Sequence, residues 1–179
     1  DSGDQLIQFQ QDRLLHNWRK VGESQSEYPR FEGMISSFKS ELNLLERYLN
    51  SLQPQSLSIN QCEISYLNHI RFDRAVGEEV SDWLRFIQFS GRSPEDFAAN
   101  FREVLKNEEG KPLGRLYVDS ALGYAPDGSE AIQLNLTVKG APLTASIDSA
   151  IEFLAFGRSA IVQRFADLTT AQAHKSWGR

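Results

Sequence analysis

The sequence predicts an α+β fold, in which an antiparallel sheet carries two long amphipathic helices packed on one face. Several segments alternate apolar and polar residues with the period of a half-buried strand, whereas two long segments repeat apolar residues every three or four positions, as helices do. Each half of the chain also places two strands before a long helix. This order lays both helices on one face of an antiparallel sheet and suggests two similar β-β-α halves.

The first half opens with a predicted β-hairpin. Residues 6–20 alternate in two runs, and Gln11-Asp12 forms the turn between them. The polar residues 21–27 include Gly and Ser and are expected to form a loop. A long helix is predicted over residues 29–52, because a proline stands at its first turn and another follows its last. Residues 59–72 alternate again and are predicted to form a strand.

The middle of the chain is less regular. A short helix is predicted over residues 77–89, with its apolar side chains on one face. Residues 93–109 fit two patterns, because Ser93 and the residues after it resemble a capped helix start, while the apolar residues also fit strand alternation. We favour a strand over residues 101–107, since residues 108–111 make a natural hairpin turn into the next strand.

The second half ends in two strands and a long helix. Residues 114–124 and 130–139 alternate clearly, and residues 145–168 repeat apolar positions with helical spacing. Gly157 interrupts that helix at a cost of roughly 1 kcal/mol relative to Ala, so a local packing reason is expected. A last helical turn, capped by Thr169 or Thr170, ends at Trp177.

Length and composition indicate one globular domain over residues 1–179, in which residues 5–72 and 100–168 are candidate pseudo-repeat halves. The chain has 179 residues, of which 40% are hydrophobic, and a net charge of −5. An acidic chain is a poor ligand for nucleic acid or for an anionic membrane surface, and the sequence lacks the ~20 consecutive apolar residues of a membrane span. Cys62 is the single cysteine. We therefore expect a buried thiol in a reducing, cytoplasmic setting.

Known catalytic motifs do not explain this chain. It contains no phosphate-binding loop, dinucleotide glycine fingerprint, nucleophile elbow or zinc-helix motif. His16, His69 and His174 lack a second ligand at metal-binding spacing, so neither a metal site nor a cofactor is expected. Cys62 and His69 would lie about 23 Å apart along one strand and face opposite sides, which argues against a nucleophile pair.

The best candidates for function are two polar-aromatic groups at predicted strand ends. Trp, Tyr and Arg are the residue types that most often anchor binding interfaces. The structural alternative is that Trp18 is a core wedge, that Asn17 and Asn68 fix turns, and that Glu63 forms a salt bridge to Arg19 across the sheet. The candidate partner- or ligand-binding residues are Asn17, Trp18, Arg19, Glu63, Tyr66, Asn68 and His69.

These groups also carry a resemblance that spans essentially the whole chain. Its motifs are the Gln-rich strand ending in Asn17-Trp18-Arg19, then Tyr28-Pro29-Arg30, residues 63–70, and a tail from Gly157-Arg158 to Trp177-Gly178. In these motifs the chain resembles a sporadically distributed family of bacterial proteins without an established activity. Members usually carry a further N-terminal portion, so the resemblance implies that such a portion is missing here. It implies no catalytic residue, cofactor or reaction, and its patchy distribution is typical of defence and toxin–antitoxin modules.

Three functional hypotheses follow. The leading one is a non-catalytic recognition module that binds another protein, as an antitoxin-like or defence-associated component. The alternative is a small-ligand sensor or an enzyme with a polar pocket between sheet and helices. That pocket requires the first hairpin to pair with the strand over residues 62–70. The third is a homodimer formed through an exposed sheet edge.

Overall fold

The computed structural model describes residues 3–21, 28–52, 57–92, 94–125 and 127–178, and within these ranges it confirms the predicted α+β fold. Residues 22–27 of the predicted loop and Ser93 lie outside the described residues. The strands are β1 (Gln5–Gln10), β2 (Arg13–Trp18), β3 (Cys62–Arg71), β4 (Ala98–Lys106), β5 (Pro112–Tyr124) and β6 (Glu130–Gly140). The helices are α1 (Arg30–Leu52), α2 (Val80–Trp83), α3 (Ile147–Leu168) and α4 (Ala171–Ser176).

The strands form two sheets. β1 and β2 make a hairpin of their own, and the other four strands form an antiparallel sheet in the order β3-β6-β5-β4. The pairing of β3 with β6 joins the two halves of the chain in one sheet. β4 settles the ambiguous segment, because its long antiparallel register with β5 matches strand alternation, in which every second side chain is exposed.

One face of the four-stranded sheet carries the core. The inward residues of β6 are fully buried, and α3 packs against them and against β3. α1 packs against α3 and β2, and its Ile35 and Phe38 contact the same core. The opposite face has no helix on it among the described residues and is largely polar. This division places both long helices on one side and leaves an open sheet surface on the other.

Gly157 has the packing role that the sequence predicts. A Cβ atom at this position would lie 2.8 Å from Ile64 Cγ2 and 3.1 Å from Val138 Cγ1. Helix α3 therefore approaches the sheet at a point where only hydrogen fits. The packing that this close approach allows compensates for the lower stability of a helix that contains glycine.

We expect Gly157→Ala to lower the free energy of unfolding by about 1–3 kcal/mol, because the added methyl group overpacks this contact. In an Ile64→Ala background the closer of the two methyl groups is gone while Val138 stays in place, so the same change should cost less than in the parent chain. Urea unfolding of the four proteins measures the coupling, provided that the m-value stays constant. A Gly157→Ala protein more stable than the parent would contradict the close approach of α3.

The helix predicted over residues 77–89 is wrong in extent. The structure has a 3₁₀ turn at Arg74–Val76 and only the single-turn helix α2. Leu84 is extended, fully buried and bridged to Thr169, and the Arg85 N–H donates to the Leu168 carbonyl at 2.9 Å. Backbone pairing with the end of α3 therefore replaces the helical hydrogen bonds that the local pattern predicts.

Several residues of the C-terminal tail stabilise this junction. Thr170 caps α4 through the Ala173 N–H and also donates its hydroxyl to the Asp82 carbonyl. The buried Thr169 hydroxyl donates to the Phe165 carbonyl at 2.7 Å, and its oxygen lies 2.7 Å from His174 Nε2. The ring centroids of Trp83 and Trp177 are 6.0 Å apart. These contacts give the tail an architectural role, and we call them the C-terminal clamp.

Candidate functional site

The first hairpin lies against α1 through the β2 side chains. His16 is almost fully buried, its Nδ1 lies 3.1 Å from Glu41 Oε1, and its Nε2 lies 3.0 Å from Gln5 Oε1. The His16 ring also contacts Phe38, with centroids 6.5 Å apart. A two-stranded hairpin is at best marginally stable alone, so these contacts to α1 hold it in place.

Three aromatic residues connect the hairpin to the main sheet. The Trp18 and Tyr28 ring centroids are 5.0 Å apart, and the Tyr28 hydroxyl lies 3.3 Å from the Tyr66 hydroxyl on β3. Burial, together with the bond to Tyr66, raises the pKa of Tyr28 well above its usual value, so this hydroxyl stays protonated. We call Trp18, Tyr28 and Tyr66 the aromatic bridge.

Arg158 of α3 lies near this bridge. Its guanidinium carbon is 5.6 Å from the centre of the Phe31 ring, and its charge acts on the Tyr28 hydroxyl. Arg30 starts α1 with a φ of 59°, a strained value for a residue other than glycine. Tyr28 and Arg158 were not among the predicted site residues, although both fall in sequence motifs described above. Tyr28 precedes α1 and Arg158 lies on α3, whereas the predicted site residues lie at predicted strand ends.

The structure brings only part of the predicted site together. Trp18 and Tyr66 meet through Tyr28, and Asn68 lies two residues further along the same inward face of β3, where its amide donates to the Leu134 carbonyl at 3.0 Å. Asn17 lies on the hairpin, with its amide 3.5 Å from Gln8 Oε1, and the Arg19 N–H extends the hairpin ladder to the Asp4 carbonyl.

Glu63 and His69 lie on the opposite, open face of the sheet. The proposed ion pair of Glu63 with Arg19 is wrong, because Glu63 instead contacts Lys139 Nζ at 2.9 Å. Lys139 is the direct cross-strand partner of Glu63 on β6, so the register of the sheet decides this pair. The hairpin does not pair with β3, and the pocket required by the sensor hypothesis would need residues from both sides of the sheet.

Shallow depressions on the described surface lie away from the predicted residues. One of about 140 Å³ lies on the open face of the sheet, between β4, β5 and β6. One of about 470 Å³ lies along α1, beside Glu41 and Leu44. Neither is lined by any of the seven predicted residues.

Strand β1 is the most exposed apolar element of the hairpin. All six of its residues are exposed, and the exposed fractions of Leu6, Ile7 and Phe9 are 55%, 53% and 64%. Leu6 lies on one face of the strand, and Ile7 and Phe9 lie on the other. Large apolar side chains grouped on a strand are typical of interaction surfaces.

Other features are less informative about chemistry. Cys62 is buried as predicted, and burial raises the pKa of its thiol to about 11. Among the described residues there is no group of three His, Cys, Asp or Glu side chains placed to hold a metal ion. The helices within the described ranges are too short or too polar to cross a bilayer. Comparison with family models, curated proteins and solved structures finds no match to this chain.

Proposed function

We propose that this chain is a non-catalytic protein-recognition module whose docking element is β1. The observation that carries the proposal is the exposure of Leu6, Ile7 and Phe9 on one strand. A partner strand that pairs with β1 would gain main-chain hydrogen bonds and would cover these side chains. The partner is therefore an extended segment of another protein with apolar residues at alternate positions.

The hydrogen-bond pattern of the hairpin supports strand addition at this edge. The Arg19 N–H donates to the Asp4 carbonyl, and hydrogen-bonded pairs alternate with non-hydrogen-bonded pairs along an antiparallel ladder. Gln5, Ile7 and Phe9 thus occupy the non-hydrogen-bonded positions opposite β2. Their backbone N–H and C=O groups point to the outer edge of β1, where a partner strand would bind.

The anchoring of β2 supports the same proposal. The aromatic bridge and the His16–Glu41 contact hold β2 against the body of the protein, while β1 lies on the outside. A docking strand held in its bound conformation loses less conformational entropy on binding than a free segment does. Trp18 therefore acts as an anchor of the hairpin and, by this proposal, lies outside the contact surface itself.

The resemblance described above gives the proposal its biological direction. A sporadic distribution favours an antitoxin-like or defence-associated accessory component, and the single unpaired cysteine favours the cytoplasm. An analogy with a family concerns only the biological setting of the protein. The mechanism of binding is argued from strand β1 alone.

Quantitative affinity capture from the native lysate tests the proposal with two variants of β1. Ile7→Pro removes an outward N–H and leaves the β1–β2 ladder intact, whereas Phe9→Ser removes an exposed apolar side chain. We expect the amount of the partner captured by each variant to fall about tenfold or more, as for central interface residues. Thermal unfolding should show that both variants remain folded.

Leu67→Ser is the matched control, because Leu67 is an exposed apolar residue, 69% accessible, on the open face of the main sheet. This variant should capture the partner as well as the parent chain does. Equal capture by all four proteins would contradict docking on β1. Light scattering over a range of concentrations tests the homodimer hypothesis. If the chain self-associates and Ile7→Pro abolishes that self-association, the strand that binds β1 belongs to a second copy of this chain. That result would overturn the proposal of a different partner.

A further inference from the structure

The open face of the four-stranded sheet carries a compact group of cations that neither the core nor the hairpin uses. Arg115 of β5 lies directly opposite Lys139 of β6, and Arg102 of β4 lies opposite Tyr117, two residues along β5. Like charges directly opposite each other destabilise a sheet. Their grouping therefore needs a compensating negative charge.

The protein itself supplies only part of that charge. Glu63 pairs with Lys139 at 2.9 Å, whereas neither Arg102 nor Arg115 forms an ion pair with a carboxylate of the described residues. Three cations thus share one anion within this group. The chain as a whole has a net charge of −5, yet this part of its surface carries an excess of positive charge. Such a local excess of positive charge attracts anions.

Tyr117 holds two of these cations in place. The Arg102 guanidinium carbon lies 5.9 Å from the centre of the Tyr117 ring, and Lys139 Nζ lies 5.6 Å from it. These two residues come from the strands on either side of Tyr117, so the ring sits between them. Side chains that are ordered before binding lose less entropy when they bind an oxyanion.

The depression of about 140 Å³ begins in the next row of the same face. Asn100, Asp119 and Asn135 lie side by side across β4, β5 and β6 and line it together with Gln133, while small residues form its floor. Amide and carboxylate groups of this kind bind the polar edges of nucleobases. The row lies two residues from Tyr117, which is about 7 Å along the strand.

We infer that this face binds a mononucleotide, with the phosphate on Arg102, Arg115 and Lys139 and the base over the Asn100–Asp119–Asn135 row. The cations match a phosphate group, and the adjacent amides and carboxylate match a base. The next row, from Ala98 to His69, contains no arginine or lysine. A long nucleic acid strand would need such cations at each step, so the arrangement favours one nucleotide.

Isothermal titration calorimetry at low ionic strength tests the site. The ligands are the four ribonucleoside 5′-monophosphates, the matching nucleosides and inorganic phosphate. At least one nucleotide should bind tighter than both its nucleoside and phosphate, and the Arg102→Gln/Arg115→Gln protein should bind it about tenfold or more weakly. Asn135→Ala should weaken nucleotide binding and leave phosphate binding unchanged. Arg71→Gln removes a cation from the same face, where Arg71 pairs with Asp127, and should bind the nucleotide like the parent chain.

Three results would overturn the inference. These are the absence of nucleotide binding at millimolar concentration, binding of phosphate alone as tight as that of every nucleotide, and a loss of affinity in Arg71→Gln as large as that in the double variant. Tighter binding of a single-stranded oligonucleotide than of any mononucleotide would overturn the assignment to a single nucleotide. Because β1 takes no part in this site, its failure would leave the docking proposal untouched.

Discussion

Replacement of Phe153 by Ala should lower the free energy of unfolding by about 3–5 kcal/mol, the usual cost of removing a buried phenylalanine ring. Phe153 is buried on α3, and its ring lies against Gly114 and Gly140 on adjacent strands. A Cβ on Gly140 would come within 2.7 Å of that ring, so the two glycines form a slot for it. Strand backbone at the two glycines offers no side chain that could fill the cavity left by alanine, so the cavity should stay open.

Phe9→Ala is the matched control, because it makes the same chemical change on a side chain that is 64% exposed. Its effect on stability should stay within about 0.5 kcal/mol, as for surface positions generally. Chemical denaturation of both variants with a shared m-value gives the comparison. If Phe153→Ala cost no more than Phe9→Ala, the packing of α3 on the glycine slot would be wrong.

Replacement of Trp83 by Ala should also cost about 3–5 kcal/mol, because it removes the buried indole of the C-terminal clamp. Trp83 packs on Trp177, and its backbone carbonyl accepts a hydrogen bond from the Thr170 N–H at 3.1 Å. The Trp83 indole N–H is buried without a hydrogen-bond partner among the described residues. Packing therefore accounts for its contribution, and Trp83→Phe should retain most of the stability.

Trp177, which is partly exposed, provides the comparison for the stability of the Trp83→Ala protein. Trp177→Ala should cost less than Trp83→Ala, since the Trp177 side chain is 37% exposed. Thermal unfolding of the three variants ranks these contributions. A Trp83→Phe protein as unstable as Trp83→Ala would contradict this assignment, because a phenyl ring would then recover none of the packing of the indole.

Local patterns predict the regular elements of this chain well. The alternation in residues 130–139 and the stripe in residues 145–168 correspond to β6 and α3, because side-chain periods of 2 and 3.6 are properties of the local backbone. The exception is the segment after Val80, where the apolar pattern continues but the helix ends at Trp83. Leu84 pairs with Thr169, 85 residues away, and no window around Leu84 contains that information.

The candidate sites depend more strongly on distant contacts. Sequence reasoning selected Trp18 and Tyr66, and the structure connects them through Tyr28. It also selected Glu63 and His69, which alternation had already placed on the other face of the same strand. The row that contains Arg102 and Tyr117 could not be predicted, because it depends on the register between separate strands.

By itself the sequence determined the fold class, the position of nearly every strand and helix, the burial of Cys62 and the tight packing at Gly157. These features follow from local periodicity, from the size of each side chain and from the conformational limits of glycine and proline. The tertiary structure alone decided that the first hairpin stays apart from the main sheet, that β3 pairs with β6, and that Arg102 and Lys139 meet around Tyr117. Strand order and register arise from contacts between residues far apart in the chain, and a local pattern is compatible with several such arrangements.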